Sequence, residues 1–301
     1  MKVEAGHVAC ITGAASGIGL GIAQVLHARG IHCALVDVNA EGLQSAKAKL
    51  MTSGGQSGGR VLTVVCDCTD AANVAGLLQT VLDEFGGVQL MFNNAGIGGN
   101  PGSATVLGAD FGDWERVMQI NFNSVLYGSS VFGAHMVQMA KANPGTSPGH
   151  VINTSSVAGL VCGMGAYGSS KHGCVQISET LLSEMSSEGV HPEVGCSVLC
   201  PGFVKSEIWN TSRYDGTTPS RNMECMRKML NKGMTAVECG QFVLAGVEAG
   251  DFFLLPHPDM AKGAARMKQM AVASRTADAF LTLGSRAAGK RTPGKAKTAK
   301  L

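Results

Sequence analysis

The sequence lacks the long apolar segments of a membrane protein. Its 301 residues contain no apolar stretch near the ~18 residues that a bilayer-spanning helix requires. The N-terminal residues lead directly into a short apolar run typical of a strand, so we expect no signal peptide. No internal repeat is visible, which disfavours a solenoid or an array of small modules. These absences favour a cytoplasmic protein without a membrane span.

Cysteines with the spacing of a metal site are also missing. Ten cysteines are scattered along the chain, and most of them lie inside apolar runs, as Cys33 and Cys196 do. This placement is typical of buried, reduced thiols in a reducing compartment. Cys66 and Cys68 have the wrong spacing for a zinc pair, and no histidine couple accompanies them. We therefore expect no metal site.

Aromatic residues are few, at 5%, and charged residues make up 15% of the chain, whereas 45% of the residues are apolar. This composition suits a layered α/β core rather than a disordered chain, and the length suits one large domain. Short apolar runs at 61–66, 90–93, 151–154 and 195–199 alternate with helical patterns. That alternation predicts an α/β fold, a single-domain Rossmann-type doubly wound parallel sheet with helices on both faces.

A glycine-rich turn near the N-terminus predicts a dinucleotide site. Residues 8–11 form an apolar run, and residues 12–19 then read Thr-Gly-Ala-Ala-Ser-Gly-Ile-Gly at the start of a helical pattern. Glycines let the backbone approach a pyrophosphate, and the amides at the helix start receive its charge. A second apolar run is followed by Asp37, which lies 18 residues after Gly19. An acid at this distance accepts hydrogen bonds from a ribose diol and repels a 2′-phosphate, which favours NAD over NADP.

Tyr167 and Lys171 place a phenol and an ammonium four residues apart in a run that reads as helix. At this spacing both side chains lie on one helix face. A lysine beside a tyrosine favours the phenolate and lowers the tyrosine pKa from ~10 toward a range where the phenol exchanges protons with an alcohol. Such pairs also occur on many solvated helix faces, so the meaning of this one depends on the accompanying motifs.

The accompanying motifs occur in the order and rough spacing of a known enzyme family. The glycine spacing is G-x-x-x-G-x-G, and the further motifs are residues 93–96, Asn121, Ser155 and Ser156, Tyr167 and Lys171, and Pro201 and Gly202. Over about residues 5–255 the chain therefore resembles the short-chain dehydrogenase/reductase family. Residues 167–173 and 200–204 are similar to its 15-hydroxyprostaglandin dehydrogenase branch. These segments are too short to predict the substrate of this chain.

The resemblance implies four catalytic residues. Tyr167 would act as general acid and base, Lys171 would lower its pKa and bind the nicotinamide ribose, and Asn121 would complete a proton relay through a bound water. Ser156, which precedes x-Ala-Gly, would orient the substrate carbonyl. Tyr167 follows Ser156 by 11 residues, which is fewer than in related enzymes, so Ser155 is the alternative.

The resemblance also implies a cofactor site that spans several segments. Asp67 would accept a hydrogen bond at the adenine edge beside the amide of Cys68; the alternative is that Asp67 caps the next helix. Val204 and Ser206 would close the nicotinamide pocket. The full set implied for binding NAD is Thr12, Gly13, Ser16, Gly17, Ile18, Gly19, Asp37, Asp67, Cys68, Asn94, Ala95, Gly96, Tyr167, Lys171, Pro201, Gly202, Val204 and Ser206.

The chain divides into a catalytic body and a C-terminal extension. We predict a catalytic domain over 1–258 with a substrate lid at about 203–235, a helical extension over 259–284, and a basic, disordered tail over 285–301. Several methionines lie in the lid. They favour a lipophilic substrate, or they are ordinary helix core.

The tail has six basic residues and no acid. It lacks interleaved aromatics, so we expect no nucleic-acid partner. Its last three residues, Ala299, Lys300 and Leu301, resemble the peroxisomal S-K-L address with alanine for serine. A peroxisomal location is therefore the alternative to a cytoplasmic one.

These features predict an NAD-dependent oxidoreductase that interconverts a small-molecule secondary alcohol and a ketone by direct hydride transfer. A non-catalytic NAD-binding scaffold is the alternative, and the complete set of proton-relay residues argues against it. A sugar-nucleotide epimerase or dehydratase of the same fold is disfavoured, because such enzymes commonly begin with G-x-x-G-x-x-G. The resemblance further implies a homo-oligomer, either a dimer or a tetramer.

Overall fold

The computed structural model describes residues 1–53, 58–161, 163–206, 208 and 228–263. Most of the predicted lid, the extension beyond residue 263 and the basic tail with Ala299, Lys300 and Leu301 lie outside the described residues. Residues 258–263 are helical, in agreement with a helix that starts near 259. The division into domains and the cellular location, cytoplasmic or peroxisomal, stay predictions.

Strands and helices alternate along the chain. The strands are β1 (Val8–Thr12), β2 (His32–Asp37), β3 (Val61–Val65), β4 (Leu90–Asn93), β5 (Gly149–Thr154), β6 (Val194–Leu199) and β7 (Phe253–Leu254). The α-helices are α1 (Gly17–Ala28), α2 (Ala40–Ser53), α3 (Ala71–Phe85), α4 (Phe111–Met118), α5 (Ser124–Ala142), α6 (Gly165–Ser187) and α7 (Ala236–Ala249). Short 3₁₀ turns occur at Pro101–Ala104 and Val157–Gly159, and a π-helical turn occurs at Gln119–Asn123.

The strands of the described residues form one parallel sheet in the order β3-β2-β1-β4-β5-β6-β7. The chain runs outward from β1 to β3, returns to the centre at β4 and continues to the other edge. The gap between the ends of β1 and β4 is therefore the switch point at which open α/β sheets bind ligands. The predicted Rossmann-type doubly wound parallel sheet is confirmed.

Helices cover both faces of the sheet, because its strands are apolar on both sides. On one face Ile11 and Phe92 pack in a buried cluster with residues of α1, α2 and α7. On the other face Val36 and Met91 pack with residues of α3, α5 and α6, among them Phe132. Strands buried on both sides need the continuous apolar runs that the sequence contains. Within the described parts of the chain, no helix is both long and apolar enough to cross a bilayer.

The limits of α3 show how capping residues place the helix ends. Asp70 precedes the helix, its carboxylate accepts a hydrogen bond from the amide of Ala72 at 2.7 Å, and Gly86 ends the helix with a φ of 81°. The alternative role of Asp67 as the cap of this helix is therefore wrong. Asp67 accepts from the amide and hydroxyl of Thr69 instead, because an N-cap must directly precede the first helical residue.

Candidate active site

The turn between β1 and α1 packs tightly against the neighbouring strand ends. Gly13 and Gly17 have φ values of 66° and 55°, a region that favours glycine. A Cβ at Gly19 would lie 2.5 Å from the carbonyl oxygen of Gly13, and a Cβ at Gly13 would lie 3.0 Å from Cα of Ala95. Ser16 is the N-cap of α1. The glycines thus keep side chains away from a helix N-terminus, which is an arrangement that receives phosphate.

Thr12 joins this turn to the end of β4. Its hydroxyl donates to the carbonyl of Phe92 at 3.2 Å and accepts from the amides of Asn94 and Ala95 at 2.9 and 3.0 Å. The Asn94 side chain donates to the carbonyl of Thr12 at 3.0 Å and accepts from the hydroxyl of Thr154 at 3.3 Å. The side chain of Ile18 packs against the buried cluster of α1 and α7. The structure therefore brings the ends of β1, β4 and β5 together at one sheet edge.

Asp37 ends β2 beside the glycine turn. One carboxylate oxygen accepts from the amide of Ala15 at 3.2 Å, and the other accepts from the amide two residues on at 3.0 Å. The carbonyl of Asp37 accepts from the amide of Cys66 at 3.2 Å. Asp67, which is exposed, and Cys68, which is buried, follow directly. The predicted adenosine residues therefore lie next to one another, past the ends of β2 and β3.

Tyr167 and Lys171 lie one turn apart on α6, and both are buried. The ammonium of Lys171 is 5.8 Å from the centre of the Tyr167 ring and donates to the carbonyl of Thr154 at 2.9 Å. Burial lowers the pKa of Lys171. Burial also raises the pKa of Tyr167, and a hydrogen bond with the Ser156 side chain opposes part of that rise. The lowered tyrosine pKa predicted from the spacing is therefore wrong for this structure, because desolvation of the phenolate outweighs the hydrogen bond with Ser156.

The two serines after β5 have different partners. The Ser155 hydroxyl donates to the carbonyl of Lys171 at 2.7 Å and so ties the strand end to α6. The Ser156 side chain hydrogen bonds with Tyr167. It also accepts from the amide two residues on at 3.1 Å and donates to the carbonyl of Pro201 at 3.4 Å. Of the two hydroxyls, that of Ser156 lies beside the phenol.

Asn121 lies in the π-helical turn between α4 and α5, and its side chain is buried. Its amide oxygen accepts from the amide of Ile97 at 2.8 Å. Its amide nitrogen donates to the carbonyl of Ile97 at 2.9 Å and to the hydroxyl of Ser170 at 3.2 Å. A Cβ at Gly96 would lie 3.2 Å from the Asn121 oxygen and 3.4 Å from the Lys171 nitrogen. The sequence does not reveal the π turn, a helix irregularity that is frequent at functional sites.

The segment after β6 reaches the same edge. The amide of Gly202 donates to Nδ1 of His257 at 3.0 Å, and Val204 is buried. A Cβ at Gly17 would lie 3.2 Å from Cβ of Ser206, which places Ser206 beside the glycine turn. His257 is a contact that sequence reasoning missed, because its local sequence carries no sign of a partner 55 residues away.

The assembled edge combines two chemical capacities. A hydroxyl, a phenol and an ammonium lie in one buried cluster, which suits proton transfer to and from a substrate oxygen. A helix N-terminus and a strand-end carboxylate lie beside it, which suits an anionic ligand that carries a ribose. In the part of the chain that the structure describes, no group of three or more histidine, cysteine or carboxylate side chains is placed to hold a metal ion.

Comparison with known proteins gives a consistent result. A family model described as short chain dehydrogenase matches residues 7–216. The chain is 34% identical over 207 residues to the NAD(+)-dependent 15-hydroxyprostaglandin dehydrogenase of Homo sapiens, which covers 67% of this chain and 70% of that protein. It is 32% identical over 208 residues to 3beta-hydroxysteroid dehydrogenase 2 of Eggerthella lenta. That match covers 68% of this chain and 74% of the relative. A solved short chain dehydrogenase/reductase from Burkholderia phymatum, in complex with NAD, superimposes with a TM-score of 0.81 at 29% identity over 91% of this chain and 97% of that one.

Proposed function

The chain belongs to the short-chain dehydrogenase/reductase family of oxidoreductases, which act on CH-OH groups with a nicotinamide cofactor, and on this premise we propose that it interconverts a secondary alcohol and a ketone with NAD. The observation that carries the proposal is the buried cluster of Ser156, Tyr167 and Lys171, in which Ser156 hydrogen bonds with the phenol. The cluster supports proton transfer at the sheet edge where this fold binds ligands.

Tyr167 exchanges the proton in the proposed reaction. The hydride would come from, or pass to, a nicotinamide held at this edge. The phenol donates to the carbonyl oxygen during reduction, and the phenolate accepts from the hydroxyl during oxidation. Ser156 hydrogen bonds with the same substrate oxygen and holds it against the phenol. Because burial raises the pKa of Tyr167, the neutral phenol that reduction requires is present at neutral pH, whereas oxidation requires stabilisation of the phenolate.

Lys171 supplies that stabilisation. Its ammonium, held by the carbonyl of Thr154 at 2.9 Å, brings positive charge into a buried site, where charges interact more strongly than in water. We also assign Lys171 to the nicotinamide ribose. Asn121, which donates to Ser170 of α6 at 3.2 Å, would pass the proton onward through a bound water.

The residues at this edge fit a nicotinamide dinucleotide, because three glycines keep side chains off the N-terminus of α1. Asp37 would accept hydrogen bonds from the adenosine ribose. The exposed neighbour Val38 and the N-cap Ser16 offer no cation for a 2′-phosphate. These features support NAD rather than NADP. Asp67 and the amide of Cys68 would contact the adenine.

The rest of the cofactor site follows from the strand ends. Asn94, Ala95 and Gly96 would form the ribose wall, since Asn94 and Ala95 are already fixed by Thr12. The nicotinamide pocket would be closed by Pro201, Gly202, Val204 and Ser206.

A lipophilic secondary alcohol is the proposed substrate. The two relatives are named for a hydroxyprostaglandin and a hydroxysteroid, and they are named as dehydrogenases. The methionines predicted to lie in the lid agree with such a substrate. The alternative of a non-catalytic scaffold has no support in the relatives. A homo-oligomer, dimer or tetramer, stays a prediction.

A substrate screen tests the proposal. The purified chain is mixed with NAD and hydroxysteroids, prostanoids or polyols, and NADH formation is followed by absorbance. We expect at least one lipophilic secondary alcohol to reduce NAD, with kcat/KM at least about tenfold higher than with NADP. If fluorescence titration shows that NADH binds but no alcohol or ketone turns over, the catalytic proposal fails. That result would favour the non-catalytic NAD-binding scaffold.

A further inference from the structure

Two cysteines follow β3 at the adenosine end of the site. The thiol of Cys66 donates to the carbonyl of Asn73 in α3 at 3.8 Å, and the thiol of Cys68 lies close enough to act on the pKa of Cys66. The backbone amide of Cys66 donates to the carbonyl of Asp37 at 3.2 Å. The thiol pair is thus attached to the residue proposed to bind the adenosine ribose, and Asp67 lies between the two cysteines.

Cys66 differs from the other cysteines in its exposure and acidity. Of the eight cysteines in the described residues, seven are buried and Cys66 is partly exposed. Burial raises the pKa of Cys33 and Cys196 to about 12, so these thiols stay protonated at neutral pH. The hydrogen bond with Cys68 lowers the pKa of Cys66, and this effect outweighs partial burial and two nearby carboxylates. Since the thiolate is the reactive form of cysteine, the partial exposure of Cys66 and the direction of its pKa shift both favour reaction at this thiol.

We propose that Cys66 and Cys68 form a redox-active thiol pair whose oxidation by hydrogen peroxide weakens the binding of NAD. The Cys66 thiolate attacks one peroxide oxygen, the O–O bond breaks, and hydroxide leaves and takes up a proton to become water, which leaves Cys66 as the sulfenic acid. The Cys68 thiol attacks the sulfenic sulfur, the S–O bond breaks, and a second water leaves as the disulfide forms. The two thiols lose two electrons, which reduce one peroxide to two waters.

The disulfide changes the backbone beside the adenosine site. It draws the two sulfur atoms to ~2 Å from each other, with a restricted dihedral angle. The Cys66 amide then no longer holds the carbonyl of Asp37 in place, and the turn that carries Asp67 moves. The effect on NAD rests on the proposed function, whereas the oxidation of the thiols does not depend on it.

The first experiment identifies the reactive cysteine. Cys162 and Cys225, which lie outside the described residues, are replaced by serine, and the protein is treated with limiting iodoacetamide or with hydrogen peroxide before digestion and mass spectrometry. We expect Cys66 to be alkylated at least about tenfold faster than the buried Cys174 and Cys239. A pKa that is lower by one unit already raises the thiolate fraction about tenfold. Peroxide should yield a peptide with Cys66 and Cys68 that is lighter by two hydrogen atoms. Equal alkylation rates, or a Cys66 that resists peroxide, overturn the proposal.

The second experiment measures NADH affinity by fluorescence titration before and after peroxide treatment. We expect oxidation to raise the Kd about tenfold, the effect of losing one or two hydrogen bonds, and dithiothreitol to restore it. Cys66→Ser should abolish this difference between treated and untreated protein. Cys68→Ser, which keeps a hydrogen-bond donor beside Cys66 but removes the second thiol, should stop at the sulfenic acid, which dimedone traps. Cys239→Ala removes a buried thiol of α7 and should keep the response of the parent protein.

The two experiments separate failure of this inference from failure of the proposed function. If the oxidised pair binds NADH as tightly as the reduced pair, or if Cys239→Ala abolishes the response, control of binding by this pair is disproved. If the reduced protein binds no NADH at all while the pair still oxidises, the proposed cofactor site is at fault instead.

Discussion

Tyr167 and Lys171 are ionisable side chains that α6 holds out of water. Burial of either group in its charged form costs free energy unless a partner compensates. Burial accordingly raises the pKa of the phenol and lowers that of the ammonium. Their partners are the Ser156 side chain for the phenol and the Thr154 carbonyl for the ammonium. A nearby change of charge readily shifts the protonation of two such groups, which suits a proton relay.

Replacing Tyr167 by phenylalanine should reduce kcat by about 10²- to 10⁴-fold, because the hydroxyl proposed to exchange the proton is lost. NADH affinity should stay nearly unchanged, since that hydroxyl contributes mainly to the transition state. Steady-state kinetics and NADH fluorescence titration measure both quantities. Tyr127→Phe, at a half-buried tyrosine of α5, is the matched control and should keep its kcat. A Tyr167→Phe variant that keeps most of its kcat would contradict the mechanism.

Replacing Asp37 by serine and Val38 by arginine should invert or erase the preference for NAD. The carboxylate that would repel a 2′-phosphate is removed, and residue 38 is 66% exposed, so an arginine there can reach the phosphate. The parent should favour NAD by at least about tenfold in kcat/KM, or about 1.4 kcal/mol. Both cofactors are compared at one fixed substrate concentration. Asp83→Ser, at an exposed carboxylate of α3, should leave the ratio unchanged, and a parent enzyme that uses NADP equally well would show that Asp37 has another role.

Helices α1 and α7 cross at two glycines. A Cβ at Gly21 would lie 2.2 Å from the carbonyl oxygen of Ala236, and a Cβ at Gly240 would lie 2.8 Å from the carbonyl oxygen of Gly21. Both distances are far below van der Waals contact, so the two backbones touch each other. Because α1 begins at the glycine turn, this crossing sets the position of the proposed phosphate site over the sheet.

Replacing Gly21 by alanine should therefore destabilise the fold, by up to about 2 kcal/mol. Alanine raises helix propensity by about 1 kcal/mol, but overpacking costs about 1–3 kcal/mol, and the backbone carbonyl in the way cannot rotate aside as a side chain can. Gly76 in α3 is the matched control, since a Cβ there would meet nothing within 4 Å. Gly76→Ala should stabilise by about 0.5–1 kcal/mol. Urea denaturation followed by circular dichroism compares the two, and a stabilised Gly21→Ala would disprove the close crossing.

Buried polar side chains connect β4 and β5 to the helices beneath the site. The Asn93 amide donates to the Asn153 side-chain oxygen at 2.8 Å, and the Asn153 amide donates to the hydroxyl of Ser178 on α6 at 3.1 Å. Ser129 of α5 donates to Asn153 at 3.1 Å. Buried groups that are paired in this way favour one arrangement of the elements, because any shift leaves them unsatisfied. The network therefore holds α6, and with it Tyr167, at the end of β5.

At the scale of the whole molecule, the proposed cofactor site joins both halves of the sheet. The glycine turn and Asp37 come from the β1–β3 half, whereas Tyr167 and Lys171 follow β5 on the other side of the switch point. A ligand that contacts both halves links them and binds only the folded chain. Such a ligand stabilises the fold by mass action.

NAD at about 100 times its Kd should raise the free energy of unfolding by about 2.7 kcal/mol. Thermal denaturation followed by fluorescence measures the shift in Tm. NADP at the same concentration should shift the Tm less, and the variant with Asp37→Ser and Val38→Arg should reverse that order. A Tm that does not respond to NAD would count against the cofactor site, whatever the substrate.

The sequence alone determined the fold class and the outline of the site. Strands buried on both faces must be continuous apolar runs, and the runs at 90–93 and 151–154 appear as β4 and β5. The glycine turn and Asp37 could also be recognised, because phosphate binding needs bare backbone at a helix start and ribose binding needs an acid at the next strand end. These are local requirements, so the signal for each lies within a short segment.

Tertiary structure decided the pKa values of the site residues and their hydrogen-bond partners. The pKa of Tyr167 rises although a lysine lies one turn away, because burial of the phenol depends on everything packed around α6. Which of two adjacent serines lies beside that phenol depends on how β5 meets α6, and Ser156 bonds to a carbonyl 45 residues away. The carbonyl of Thr154 that holds Lys171 is a backbone group. Every residue has such a carbonyl, so the residue type at position 154 does not identify it as the acceptor. Desolvation and long-range contacts act through space, and residue spacing along the chain does not encode them.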